Sequence, residues 1–146
     1  MEDETRFVDA LIFTWLISGR DAHSQNYSFL IAPRGQVRLR PLYDLSSALS
    51  YARQIPPRDA TLAMKIGGKY KLLAIGAREW EKLAAKLRID FDALHARILH
   101  LASALPDTTR KVDAEIIDQD IAHDVIGQLI EALAKRAVLC EAVIRK

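Results

Sequence analysis

Two carboxylates and a carboxamide punctuate one polar stretch of this chain: Asp21, Asn26 and Asp44, within Ser18 to Asp44. Asp21-Ala22-His23-Ser24-Gln25-Asn26 places an acid and an amide five positions apart, preceded by Gly19-Arg20. Transfer of a phosphoryl group to a hydroxyl asks for such residues: one carboxylate to accept the hydroxyl proton, and an Asn with a second Asp to hold magnesium against nucleotide phosphates. Magnesium keeps several waters and takes few protein ligands, so Asn26 and Asp44 would suffice as oxygen donors. The same residue types also serve as caps and turn formers in loops after helices, so the spacing alone leaves both roles open.

For Asp44 to join the other two, the chain must turn back. Tyr27 to Ala32 and Val37 to Arg40 are short runs of β-formers, joined by Pro33-Arg34-Gly35-Gln36, which is turn chemistry. A hairpin here returns Pro41-Leu42-Tyr43-Asp44 to the loop it left. Upstream, Phe7, Val8, Leu11, Ile12, Trp15 and Leu16 recur at helical spacing, so 4–17 reads as an amphipathic helix stopped by Ser18-Gly19. Trp15 belongs to its core face, and the helix would hold the loop bearing Asp21.

The segment from Phe7 to about Lys111 resembles the C-terminal part of HipA-like serine/threonine kinases, the toxins of bacterial toxin–antitoxin pairs. Trp15 to Ser28, Pro41-Leu42-Tyr43-Asp44-Leu45 and Leu62-Ala63-Met64-Lys65-Ile66-Gly67-Gly68-Lys69 carry the resemblance, in the family's order. It implies an α+β, mainly α-helical fold: the C-terminal lobe of a protein-kinase-like architecture, with a small hairpin beside the catalytic loop. Asp21 would be the catalytic base; Asn26 and Asp44 would bind Mg2+ and, with His23 in the same loop, the ATP. Gln25 stands where family members often carry Lys, which would weaken transfer. The implied partners are a protein substrate such as an aminoacyl-tRNA synthetase and a HipB-like DNA-binding antitoxin, with DNA met only through that complex.

A kinase also needs a phosphate-covering loop and a strand Lys paired with a helix Glu, ahead of the catalytic loop. Nothing of that kind fits before Asp21, so residues 1–146 read as a single C-terminal lobe that needs a separate N-terminal, ATP-gripping lobe. The alternative is a non-catalytic interaction module binding an antitoxin or partner subunit. Gly67-Gly68-Lys69 is not a phosphate-binding P-loop, because Ala63 and Tyr70 occupy the flanks where Gly and Ser or Thr are required.

The remaining sequence is scaffold. Leu45 to Tyr51 reads as a helical turn, Ala52 to Thr61 as a Pro56-Pro57 connector, and Leu62 to Ile66 and Tyr70 to Ile75 as strands around Gly67-Gly68. From Ala77 the chain reads helical: Trp80, Leu83, Ala84 and Leu87 on one helix; Asp90 capping a second that buries Leu94, Ile98, Leu101 and Leu105 and ends at Pro106. A last helix, about 115–145, has Ile117, Ile121, Val125, Leu129 and Leu133 as its stripe. His95, His100 and His123 have no second ligand at metal spacing and read as structural.

Half of the 146 residues are hydrophobic and 27% charged, as in an ordinary globular protein. The single Cys140 falls in an apolar helical pattern and cannot form an intrachain disulfide. Ala10 to Ile17, the most apolar run, is far short of the roughly 20 residues of a membrane span. The acidic start Met1-Glu2-Asp3-Glu4 is unlike a signal peptide. These features predict a cytoplasmic protein. Net charge is +2, yet the window from Arg34 to Lys71 carries eight basic residues against two acids, a local +6 that would attract phosphates or acidic partners.

Overall fold

The computed structural model describes residues 2–51, 53–116 and 123–146. Helix α1 spans Glu2–Leu16. Val8, Leu11, Ile12, Trp15 and Leu16 are all buried on its inner face. It ends where the sequence predicts: Ser18 adopts a left-handed φ of 56°, its N–H donates to the Trp15 carbonyl at 3.4 Å, and the Gly19 N–H donates to the Thr14 carbonyl at 2.8 Å. That pair of bonds is a Schellman stop, satisfying carbonyls the helix would otherwise orphan.

The predicted first hairpin is present. Strands β1 (Phe29–Ala32) and β2 (Gln36–Leu39) pair antiparallel, with Phe29 opposite Leu39 and Ala32 opposite Gln36. Arg34 and Gly35 take positive φ in the turn, 70° and 74°. Arg6 of α1 donates to the Leu39 carbonyl at 3.1 Å and anchors the hairpin's return strand.

Strands β3 (Thr61–Ile66) and β4 (Lys69–Lys71) form a second antiparallel pair around Gly67-Gly68. Both glycines have positive φ, 55° and 88°, as a tight two-residue hairpin turn demands. Gly67 has a further reason to be glycine: a Cβ there would collide with the backbone of Glu79. The expected strand Tyr70 to Ile75 is shorter than predicted. The chain leaves the ladder after Lys71 and coils into a 3-10 turn over Leu72–Ala74 that buries Leu72.

Helices α2 (Ala77–Leu87), α3 (Phe91–Ile116) and α4 (His123–Ile144) complete the fold. The Asp90 carboxylate accepts the Ala93 N–H at 2.7 Å, the cap expected for α3. Pro106, however, does not end α3, which runs through it. A mid-helix proline forfeits one backbone bond and crowds the preceding turn. Hydroxyls occupy carbonyls around it: Thr109 donates to Leu105 and Pro106, Thr108 to Ala104. Burial of Leu94, Ile98, Ala102 and Leu105 along the same face carries the helix past the break.

The stripe predicted for the last helix also needs correction. Ile117 and Ile121 lie outside the described residues, and Val125 is 58% exposed. Leu133 is buried and Leu129 partly so, as predicted, and the buried face continues through Ala137, Cys140 and Ile144. At the centre of the core Trp15 and Trp80 meet edge to face, ring centroids 5.6 Å apart. Arg97 holds α3 to α1 through two bonds of 2.8 Å to the Asp9 carboxylate.

Candidate functional site

The loop after the α1 stop lies against the core through Ala22, which is buried, while Asp21 and His23 are exposed. A 3-10 turn over Ser24–Asn26 then folds Asn26 inward, leaving it 8% exposed, with its N–H donated to the His23 carbonyl at 2.9 Å. The hairpin delivers Asp44 back to this turn: the Asn26 amide Nδ2 donates to Asp44 Oδ2 at 3.5 Å. Asp44 has a left-handed φ of 56°, a conformation Asp tolerates better than most residues.

The segment after Asp44 fastens the arrangement. Ser46 Oγ donates to Asp21 Oδ2 at 3.4 Å. Ser47 Oγ donates to the Ile17 carbonyl at 2.6 Å, and the Ala48 N–H to the Ser18 carbonyl at 3.1 Å, so the segment is stitched to the end of α1. Tyr43 reaches across to donate to the Gln25 carbonyl at 3.0 Å. Asn26 and Asp44 therefore meet directly, and Asp21 is tied to the segment that follows Asp44 through Ser46. His23 sits in the loop, but among the described residues its ring makes no hydrogen bond; its backbone carbonyl is what serves the turn.

Ser46, Ser47 and Tyr43 escape sequence reasoning. The available signal was two adjacent hydroxyls just after an acid, a local pattern prone to side-chain-to-backbone bonding. Their acceptors, however, Asp21, Ile17 and Gln25, lie far back in the sequence.

The residues fit a hard oxygen-seeking cation. Asn26 Oδ1 and the Asp44 carboxylate would offer it oxygen ligands, the donor type magnesium takes in small number. Here Nδ2 of Asn26 faces Asp44, so sharing a cation would require the Asn26 amide to turn and present Oδ1.

Three comparisons bear on this geometry. The family described as "HipA-like C-terminal domain" matches residues 1–133. The chain is similar to "Putative kinase Y4mE" of Sinorhizobium fredii, 28% identical over 137 residues, which cover 94% of this chain and 31% of that protein. It is also similar to "Putative kinase Y4dM" of the same organism, 31% identical over 87 residues, 60% of this chain and 20% of the relative. The chain thus spans a third or less of the length of these curated relatives. Its fold superposes with a TM-score of 0.80 and 23% identity on a chain from the Shewanella oneidensis MR-1 complex of HipA, HipB and operator DNA, covering 94% of this chain and 32% of that one.

Proposed function

Because the chain belongs to the HipA-like C-terminal domain family, we propose that it is the catalytic lobe of a serine/threonine protein kinase acting as a toxin–antitoxin toxin in the cytoplasm. The observation that carries this reading is the meeting of Asn26 with Asp44 beside an Asp21 oriented by Ser46. A surface used only for binding has no need to bring these three polar groups together across a hairpin.

In this reading Asp21 accepts the proton of a protein Ser or Thr hydroxyl as its oxygen bonds to the γ-phosphorus of ATP and ADP departs. Ser46 occupies one carboxylate oxygen and leaves the other for the hydroxyl. Asn26 and Asp44 would hold Mg2+, which would neutralise charge on the phosphates. His23 flanks the nucleotide. Gln25 supplies its carbonyl to Tyr43 and no positive charge.

The lobe that grips ATP would sit on the first hairpin, where Phe29, Leu30, Ile31 and Val37 are each more than half exposed. That apolar ribbon also favours the second reading, a non-catalytic module that binds an antitoxin or partner subunit. A HipB-like antitoxin is the partner we assign, with operator DNA reached through it; an aminoacyl-tRNA synthetase is the substrate class.

Thermal unfolding with and without saturating Mg-ATP tests the proposal, with Asp44→Ala as control. A ligand at about a hundred times its dissociation constant stabilises the folded state by roughly 2.7 kcal/mol. A rise in Tm that Asp44→Ala loses supports a working metal–nucleotide site. No rise in either protein overturns the reading for this chain by itself and leaves the interaction module.

A further inference from the structure

Beside the Ser18 stop, a cavity of about 240 Å³ opens between the end of α1, the Ala48–Tyr51 turn, the residues flanking the β3–β4 hairpin and α4. Its walls are almost entirely apolar, including Leu49, Ile55, Leu72 and Leu139. Three polar residues line it: Lys135, and the two buried ones, Ser18 at 1% exposure and Arg136 at 9%. Ser18 Oγ and Arg136 Nε are both buried, and neither has a hydrogen-bond partner among the described residues. Arg136 spends Nη2 on a 3.3 Å bond to the Trp15 carbonyl and lies over the Trp15 ring at 5.5 Å. No carboxylate among the described residues pairs with it. Lys135, at the rim, is already paired with Glu131 at 2.7 Å.

A buried guanidinium without a counter-charge is costly, and a fold keeps one most readily where an anion completes it. We propose that this cavity is a binding site for a small apolar monocarboxylate, its carboxylate held by Arg136 and Ser18 and its hydrocarbon part against Leu49, Ile55, Leu72 and Leu139. The planar guanidinium fork matches a carboxylate. A phosphate dianion would bring two charges and more acceptors than one guanidinium and one hydroxyl can satisfy among aliphatic walls. The volume lies just under the usual range for drug-sized ligands, about 300–1,000 Å³, and so suits a short chain or a single side chain. Burial also pushes the Arg136 pKa down from its ordinary value, the Cys140 thiol nearby opposing this weakly; a bound carboxylate reverses that penalty. Leu73 and Leu139, both lining the cavity, are 60% and 59% exposed, an apolar mouth onto solvent.

The test is calorimetric titration of the 146-residue chain with octanoate, octanol and inorganic phosphate. Saturable octanoate binding with a dissociation constant of about 1 mM or tighter, at least about tenfold weaker for octanol and phosphate, is expected. Arg136→Met should abolish it while leaving the unliganded chain at least as stable as the parent, because a buried unpaired charge is removed. If that variant does not fold, Ser18→Gly, which removes the hydroxyl and suits the left-handed φ, and Leu139→Asp, which sets a like charge at the mouth, should each weaken octanoate. N-acetyl-leucine against its amide separates the two sources of such a group: binding of the acid alone points to a peptide carboxyl terminus, and failure of both beside tight octanoate points to a free acid. Absence of octanoate binding, equal binding of octanol, or unchanged affinity in the variants that fold overturns the proposal.

Discussion

The Asn26 amide lies 3.5 Å from the Asp44 carboxylate although eighteen positions separate them in the chain. The hairpin closes that gap, and the Ser47 and Ala48 bonds to the end of α1 keep it closed. Asn26 and Asp44 should therefore act on a bound cation as a unit. In a double-mutant cycle of Asn26→Ala and Asp44→Ala, the two losses of Mg-ATP stabilisation should be non-additive by about 0.5–3 kcal/mol. Simple additivity in the unfolding midpoints would separate the two residues.

Gly67 is fixed by its neighbour. A side chain there meets the Glu79 backbone, and its φ of 55° is costly for any L-residue with a Cβ. Gly67→Ala should destabilise the chain by about 2–4 kcal/mol in urea unfolding. Gly68→Ala, with φ 88° but open space around it, should cost less. Equal costs would mean that the turn conformation alone matters and that the approach to α2 is unimportant.

Pro106 interrupts α3 at a position where the helix continues anyway. Restoring the missing N–H should stabilise, and Pro106→Ala is expected to raise stability by about 1–3 kcal/mol. Loss of stability in denaturant titrations would show that the break shapes the packing of α3 on α4.

Burial pushes the Cys140 thiol up to about 11, and the Arg136 charge only partly offsets this. Its folded pKa is thus raised above the unfolded value of about 8.5. The contribution of the neutral thiol is fully present below the unfolded pKa and is lost as pH rises through the folded one. Stability should fall between about pH 8.5 and 11, and Cys140→Ala should remove that part of the slope while costing some packing. The native thiol, 1% exposed, should also resist a disulfide reagent until the chain unfolds. Rapid labelling of the folded protein would contradict the burial.

Residue types and spacing by themselves picked out Asp21, Asn26 and Asp44 as candidates and determined the short-range elements around them. The α1 period, the Ser18-Gly19 stop, the two hairpin turns and the Asp90 cap follow from local sterics and backbone bonding, which a sequence states directly. Tertiary structure decided the rest. Pro106 reads locally as a stop, yet burial along α3 outweighed the lost bond. The inner face of α4 continues from Leu133 through Ala137, Cys140 and Ile144, because which stripe a helix buries depends on the partner it meets. Ser46 and Ser47 acquire their roles only from acceptors at Asp21 and Ile17. Arg136 lies over the Trp15 ring only because α4 packs there. Periodicity is a property of the neighbouring chain, whereas burial, counter-charge and hydrogen-bond partners across a fold are set by which surfaces meet.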